Sequence, residues 1–256
     1  MTARAGARRG TALLGVVCVG LIAALSACGD GGGGEEDPDQ GTNGVGKLSP
    51  AKIEARSRAA VRSTEAVRLS GSVVSKGQTY RLRMRLKQNG GVGEVSSRGG
   101  STFELLRVGK ELYLKAGADF WAAQEKGGGK SSKSDAAAAA KLEGKYVKVP
   151  PRDPAYRQLS GFTDMRVLLD GLLTLKGKRE TGARRQVGGV KTIRVRAGKG
   201  NGGVIDVSLK GRPYPLRLER GGGAGTVRLS GWDQNFTLKP PTTDQVVDYG
   251  KSITAR

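Results

Sequence analysis

Histidine is missing altogether, and cysteine nearly so. The 256 residues hold no His and two Cys, at positions 18 and 28. Residues 29–256 therefore carry no thiol, and no internal disulfide can form there. Zinc sites built on His or Cys are excluded, as are Ser-His-Asp and Cys-His nucleophilic catalysis. The remaining acids are scattered. Ser131 to Ser134 with Lys130 and Lys133 lie in a Gly-rich stretch that reads as loop. No spacing argues for a metal site or for a catalytic pair, so the sequence predicts no enzyme and no cofactor. Aromatic residues make up only 5% of the chain, too few for a base-stacking platform.

Acid is also in short supply. Lys and Arg number 44 against 23 Asp and Glu, a formal net charge of +21. The imbalance is local. Asp30, Glu35, Glu36, Asp37 and Asp39 come before any Lys or Arg in the stretch that ends at Lys47, so the part beyond it is more basic still. A field of this sign suits an anionic surface or polymer, or serves as a solvated basic exterior. Nucleic acid is disfavoured by the sparse aromatics and by the N-terminus described next.

Arg4, Arg8 and Arg9 precede the apolar run Ala12–Leu25, and Leu25-Ser26-Ala27-Cys28 closes it. The run has the length of a signal h-region and falls short of the roughly 20 residues of a membrane span. The order resembles a bacterial lipoprotein signal peptide with its lipobox. An ordinary secretory signal, an uncleaved anchor or a short buried helix are the alternatives. The resemblance implies diacylglyceryl and palmitoyl attachment at Cys28, removal of residues 1–27, and a lipid-anchored protein on the extracytoplasmic face of the cell membrane. Residues 28–47, rich in Gly and acid, then read as a disordered tether, with the folded domain over 48–256.

Ser49-Pro50 opens an amphipathic helix over 51–64. The period then changes to two. Tyr80, Leu82, Met84 and Leu86 alternate with Arg81, Arg83, Arg85 and Lys87, which puts apolar groups on one side of a sheet and cations on the other. Asn89-Gly90-Gly91 ends the strand with hairpin chemistry. Strands follow at 92–97, 102–108, 111–115 and 146–149, then at 178–187, 190–197, 204–209, 214–220 and 226–231. Phe120 and Trp121 lie in a helical turn. Residues 135–142 read as an Ala-rich helix within a flexible insertion over about 125–141. The leucine pattern of 163–175 predicts a helix capped by Thr163. Val-Arg-Leu-Ser-Gly occurs at 67–71 and again at 227–231, too short an echo to establish a repeat. The predicted class is α+β: one strongly curved antiparallel sheet of about 10–11 strands, a half-barrel, with helices covering its concave apolar face.

This pattern resembles the actinobacterial lipoproteins of the LppX/LprG type, similar in fold to the LolA and LolB carriers. The resemblance covers about 48–249. It rests on the lipobox, the early helix before VRLSGSV, YRLRMRLKQNGGVGEV, FELLRVGKELYLKAGADFW, KYVKVPP, DMRVLLDGLL and TVRLSGW. It implies an apolar cavity that binds acylated lipid for transfer within the cell envelope. The candidate lining residues are Tyr80, Leu82, Met84, Leu86, Phe103, Leu105, Leu112, Leu114, Leu168, Leu169 and Leu172. A filled core gives the same periodicity. The alternative function is a monomeric interaction lipoprotein that binds anionic wall polymer or a partner protein through Arg81, Arg83, Arg85 and Lys87.

Overall fold

Alternation of side chains decides the architecture. The computed structural model describes residues 39–75, 77–97, 100, 102–125 and 133–247, all within the unit Asp39–Arg256. The signal segment 1–27, Cys28 and most of the tether lie outside the described residues.

The first strands form a meander: β1 (Ala66–Ser75), β2 (Gln78–Lys87), β3 (Gly90–Ser97), β4 (Thr102–Val108), β5 (Glu111–Ala116) and β6 (Tyr146–Val149). A second meander holds β7 (Arg179–Val187), β8 (Val190–Ala197), β9 (Val204–Ser208), β10 (Pro215–Glu219) and β11 (Gly225–Ser230). β11 pairs with β1, which joins the two into one open, curved sheet ordered β12-β6-β5-β4-β3-β2-β1-β11-β10-β9-β8-β7. All pairings are antiparallel except that of β12 (Val246–Val247) on β6. The sheet thus has twelve strands among the described residues, one more than the upper expected count. A two-residue strand has no periodicity to read. The chain reaches it by passing Lys87, whose amine donates to Asn235 Oδ1 (2.7 Å) and to the Phe236 carbonyl (2.9 Å).

Two inward rows make the core. Val195, Ile205, Leu218, Val227, Gly71, Leu82, Val95, Phe103 and Ala116 face one another across nine strands. Leu229, Leu69, Met84, Gly93, Leu105, Leu114 and Val147 form the next row, which Val247 completes. The repeated Val-Arg-Leu-Ser-Gly segments are hydrogen-bonded neighbours, with Leu69 opposite Leu229 and Gly71 opposite Val227. Both present the same alternation to the same core, which accounts for the echo without a duplicated unit.

The helices are α1 (Pro50–Arg62), α2 (Ala118–Glu125), α3 (Lys133–Leu142), α4 (Pro154–Thr163) and α5 (Met165–Leu172). α1 lies against β7 and β8, and α4 against β3 and β4. Two expectations are corrected here. The helix expected over 163–175 is the shorter α5, capped by Asp164 in place of Thr163, and it follows a helix, α4, that the sequence pattern did not announce. Thr163 ends α4, with its hydroxyl donating to the Ser160 carbonyl (3.0 Å), and Asp164 caps α5 by accepting from the Val167 amide (3.0 Å). α4 itself starts at an Asp153 cap followed by Pro154. Second, the tether ends sooner. Asn43 donates to the Ser208 and Gly211 carbonyls, Val45 is buried, and Asp39 pairs with Arg184 at 2.6 Å, so residues 39–45 already belong to the folded unit. In the insertion, α3 buries Ala139 and Leu142 in the core, while 126–132 lie outside the described residues.

The capping geometry supports a modest prediction. Asp164→Ala leaves the first-turn amides of α5 without their side-chain acceptor and is expected to cost about 1 kcal/mol in urea unfolding. An unchanged midpoint would mean that packing alone fixes the start of α5.

Candidate functional site

The inward face is where the sequence placed its apolar candidates, and the structure separates them into two groups. Leu82, Leu86, Leu105, Leu112 and Leu114 have no exposed surface, and Met84, Leu169 and Leu172 have almost none. They pack in one core with residues of α1 and the second meander. Tyr80, Phe103 and Leu168 are only partly buried. Tyr80 meets the ring of Phe162 at the end of α4, with centroids 5.7 Å apart. Phe103 meets Phe120 of α2 at 5.4 Å. In this conformation the sheet residues fill the interior, and partly wet aromatics collect where β2 and β4 begin.

An open apolar cleft lies elsewhere, between α1 and α5. It encloses about 350 Å³ and is lined by Val61, Arg62, Met165, Arg166, Leu169 and Asp170. Val61, Met165 and Leu169 form its buried floor, with charged groups beside them. Its volume lies at the lower end of the range of small-ligand pockets, about 300–1,000 Å³. Of the eleven sequence candidates, Leu169 lines this cleft. Val61 and Met165 escaped notice because helical periodicity shows which face of each helix is apolar, and nothing in it shows that the two helices stand side by side. One turn before Val61 on α1, Ser57 is fully buried and its hydroxyl has no hydrogen-bond partner. An orphaned polar group of this kind is uncommon and costs roughly 1–3 kcal/mol.

Polar contacts fix both helices. Glu54 of α1 is buried and accepts from Arg179 Nε at 2.7 Å and from Arg58 Nε at 3.1 Å. Arg58 donates onward to the Leu173 carbonyl, and Arg179 to the Leu175 carbonyl at 3.0 Å. The clamp thus ties α1 to β7 and to the chain leaving α5. Burial alone would push the Glu54 carboxyl up. The hydrogen bonds and charges of Arg179 and Arg58 outweigh it and hold the group below the usual carboxylate range. On the other side, Arg107 points inward from β4 and donates to the Thr163 hydroxyl (3.1 Å) and carbonyl (3.0 Å), holding the end of α4. A cation at a helix C-terminus also complements the helix dipole.

The outward face carries the basic candidates. Arg81, Arg83 and Arg85 are exposed and Lys87 is half-buried. Arg85 lies 4.3 Å over the Phe236 ring. Among the described residues, no helix is long and apolar enough to cross a membrane.

No family model matches this sequence, and neither does any curated protein. Solved structures do match. LprF from Mycobacterium bovis is 15% identical, with a TM-score of 0.51 over 75% of this chain and 96% of that one. The lipoprotein LppX from Mycobacterium tuberculosis is 12% identical, with a TM-score of 0.41 over 75% of this chain and all of that one. The likeness to LprF shows a shared fold, the one that the sequence pattern implied.

Proposed function

We propose that the chain is an extracytoplasmic lipoprotein, anchored through Cys28, that binds one acyl tail of a lipid between α1 and α5 and passes it on within the envelope. The observation that carries this reading is the cleft itself, an apolar floor of Val61, Met165 and Leu169 with Arg62 and Arg166 beside it. Apolar chain and anionic headgroup would each meet a matching surface.

The driving force is burial, roughly 0.8 kcal/mol per methylene. The same methylenes are already buried in a bilayer, so exchange between membrane and cleft is nearly balanced and cargo is not trapped. A tail longer than the cleft needs room that the present interior does not offer, since Leu82, Leu105 and Leu114 are fully packed. The sequence candidates become lining residues only when α1 and α5 separate from the sheet. In this reading the closed core is the empty state.

The test uses residues 39–256, the compact unit. Acyl lipid should co-purify in stoichiometric amount, and a pyrene-labelled fatty acid should be taken up. Val61→Trp fills the cleft from its floor. It is expected to reduce uptake by about tenfold or more while costing at most about 1–3 kcal/mol of stability. A clean extract together with no uptake by the unaltered protein would end the carrier reading.

A further inference from the structure

The sheet treats its outward arginines in two ways. On β8 to β10 they are neutralised: Arg194 grips Asp206 through Nε at 2.8 Å, Arg217 meets Glu219 at 3.0 Å and Arg196 meets Glu180 at 3.8 Å. In the centre they are not. Arg81 and Arg83 of β2 and Arg228 of β11 are exposed and make no ion pair among the described residues. Glu94 stands opposite Arg83 on β3, yet no ion pair joins them. Like charges even face one another directly, Arg68 across from Arg85 and Arg217 across from Arg228. Such pairs are destabilising in a sheet, so their clustering calls for a ligand that offsets it.

Between these cations β1 carries only small outward groups. Ser70 sits between Arg83 and Arg228, and Ser72 between Arg81 and Thr226. The result is a trough of about 260 Å³, floored by hydroxyls and flanked by guanidinium groups, running along one strand. Outward side chains on a strand repeat about every 7 Å, so Arg81, Arg83 and Arg85 form a line of evenly spaced positive charge.

We propose that this trough binds a linear phosphodiester polymer lying along β1, with arginines on its phosphates and Ser70, Ser72 and Thr226 donating to its oxygens. Guanidinium forks suit phosphate in charge and geometry. A bilayer is the poorer fit. Val167, on α5, is the one large apolar side chain counted as exposed among the described residues, and it does not belong to the outward face of the sheet. A flat array of headgroups would touch the arginine tips and miss the hydroxyl floor. The site is on the opposite face of the sheet from the acyl cleft, and neither reading depends on the other.

The purified full chain is titrated with a short synthetic poly(glycerol phosphate), with vesicles of phosphatidylglycerol and with inorganic phosphate. Arg81→Ser combined with Arg83→Ser should weaken polymer binding about tenfold or more and lower the salt slope by about two. Arg157→Ser combined with Arg185→Ser removes the same charge from exposed positions outside the trough and should change affinity by less than about twofold. Circular dichroism confirms that both variants fold. Equal losses in the two double variants, or no polymer binding at all, would overturn the proposal. So would vesicle binding that depends on Arg81 and Arg83 while polymer binding does not.

Discussion

Gly93→Ala is expected to cost the fold about 3–4 kcal/mol, a large part of the 5–15 kcal/mol that holds a typical domain together. Gly93 occupies the centre of the second inward row, opposite Met84 on one side and Leu105 on the other. Its φ of +158° turns the strand so that an added Cβ would lie 2.1 Å from the Arg83 carbonyl oxygen and 2.7 Å from the Met84 Cα. Both obstacles are backbone, so no rotamer change relieves the clash, and β2 and β3 would have to part. Gly71 meets the same obstacle on β1, where a Cβ would sit 2.2 Å from the Thr226 carbonyl oxygen. Gly109→Ala is the control, because Gly109 has φ +62° but open space where its Cβ would point. It should show only the left-handed penalty, about 1–2 kcal/mol. Urea unfolding of all three proteins decides the matter. If Gly93→Ala costs no more than Gly109→Ala, the strands splay freely and glycine does not set their approach.

The same contrast explains what could be read from the chain alone. On β2 the alternation of Leu82, Met84 and Leu86 with Arg81, Arg83 and Arg85 is a period-two signal that the structure reproduces residue by residue. β2 and β11 announce themselves this way because each presents one face to the core. α4 did not. Pro150-Pro151 reads as a stop, yet the signal lay two residues on, where Asp153 caps and Pro154 takes the first helical position. The cleft was hidden for a different reason. It depends on Val61 and Met165 meeting, positions more than a hundred residues apart, and only tertiary packing brings them together. The trough on β1 lay between these extremes. Its arginines were visible in the sequence, but which of them find acids is decided by strand neighbours, as Arg194 with Asp206 and Arg83 without Glu94 illustrate.

Replacing Glu54 by Gln should remove about 2 kcal/mol of stability at neutral pH and quicken acyl uptake at the same time. The carboxylate is nearly buried, and its two arginines are each a little over a quarter exposed. The loss should therefore fall below that of breaking a fully buried pair, about 3–5 kcal/mol. The pH dependence follows from the direction of the shift. Glu54 titrates lower in the folded protein than its ordinary value of 4.5. Its contribution is thus complete above that value and is lost as pH falls through the lower folded one. Wild type and Glu54→Gln should differ clearly at pH 7 and converge in strong acid. The link to uptake is geometric. Glu54 holds Arg58 and Arg179, which donate onward to the Leu173 and Leu175 carbonyls where the chain leaves α5, the helix whose first turns line the cleft. Freed arginines release that helix and α1 together, so the tail meets a lower barrier to entry. A variant as stable as wild type at pH 7 would show that α1 is held by apolar packing through Ile53 and its neighbours. A variant that is destabilised but loads at the wild-type rate would detach the clamp from the cleft, and with it the idea that α1 and α5 part to admit cargo.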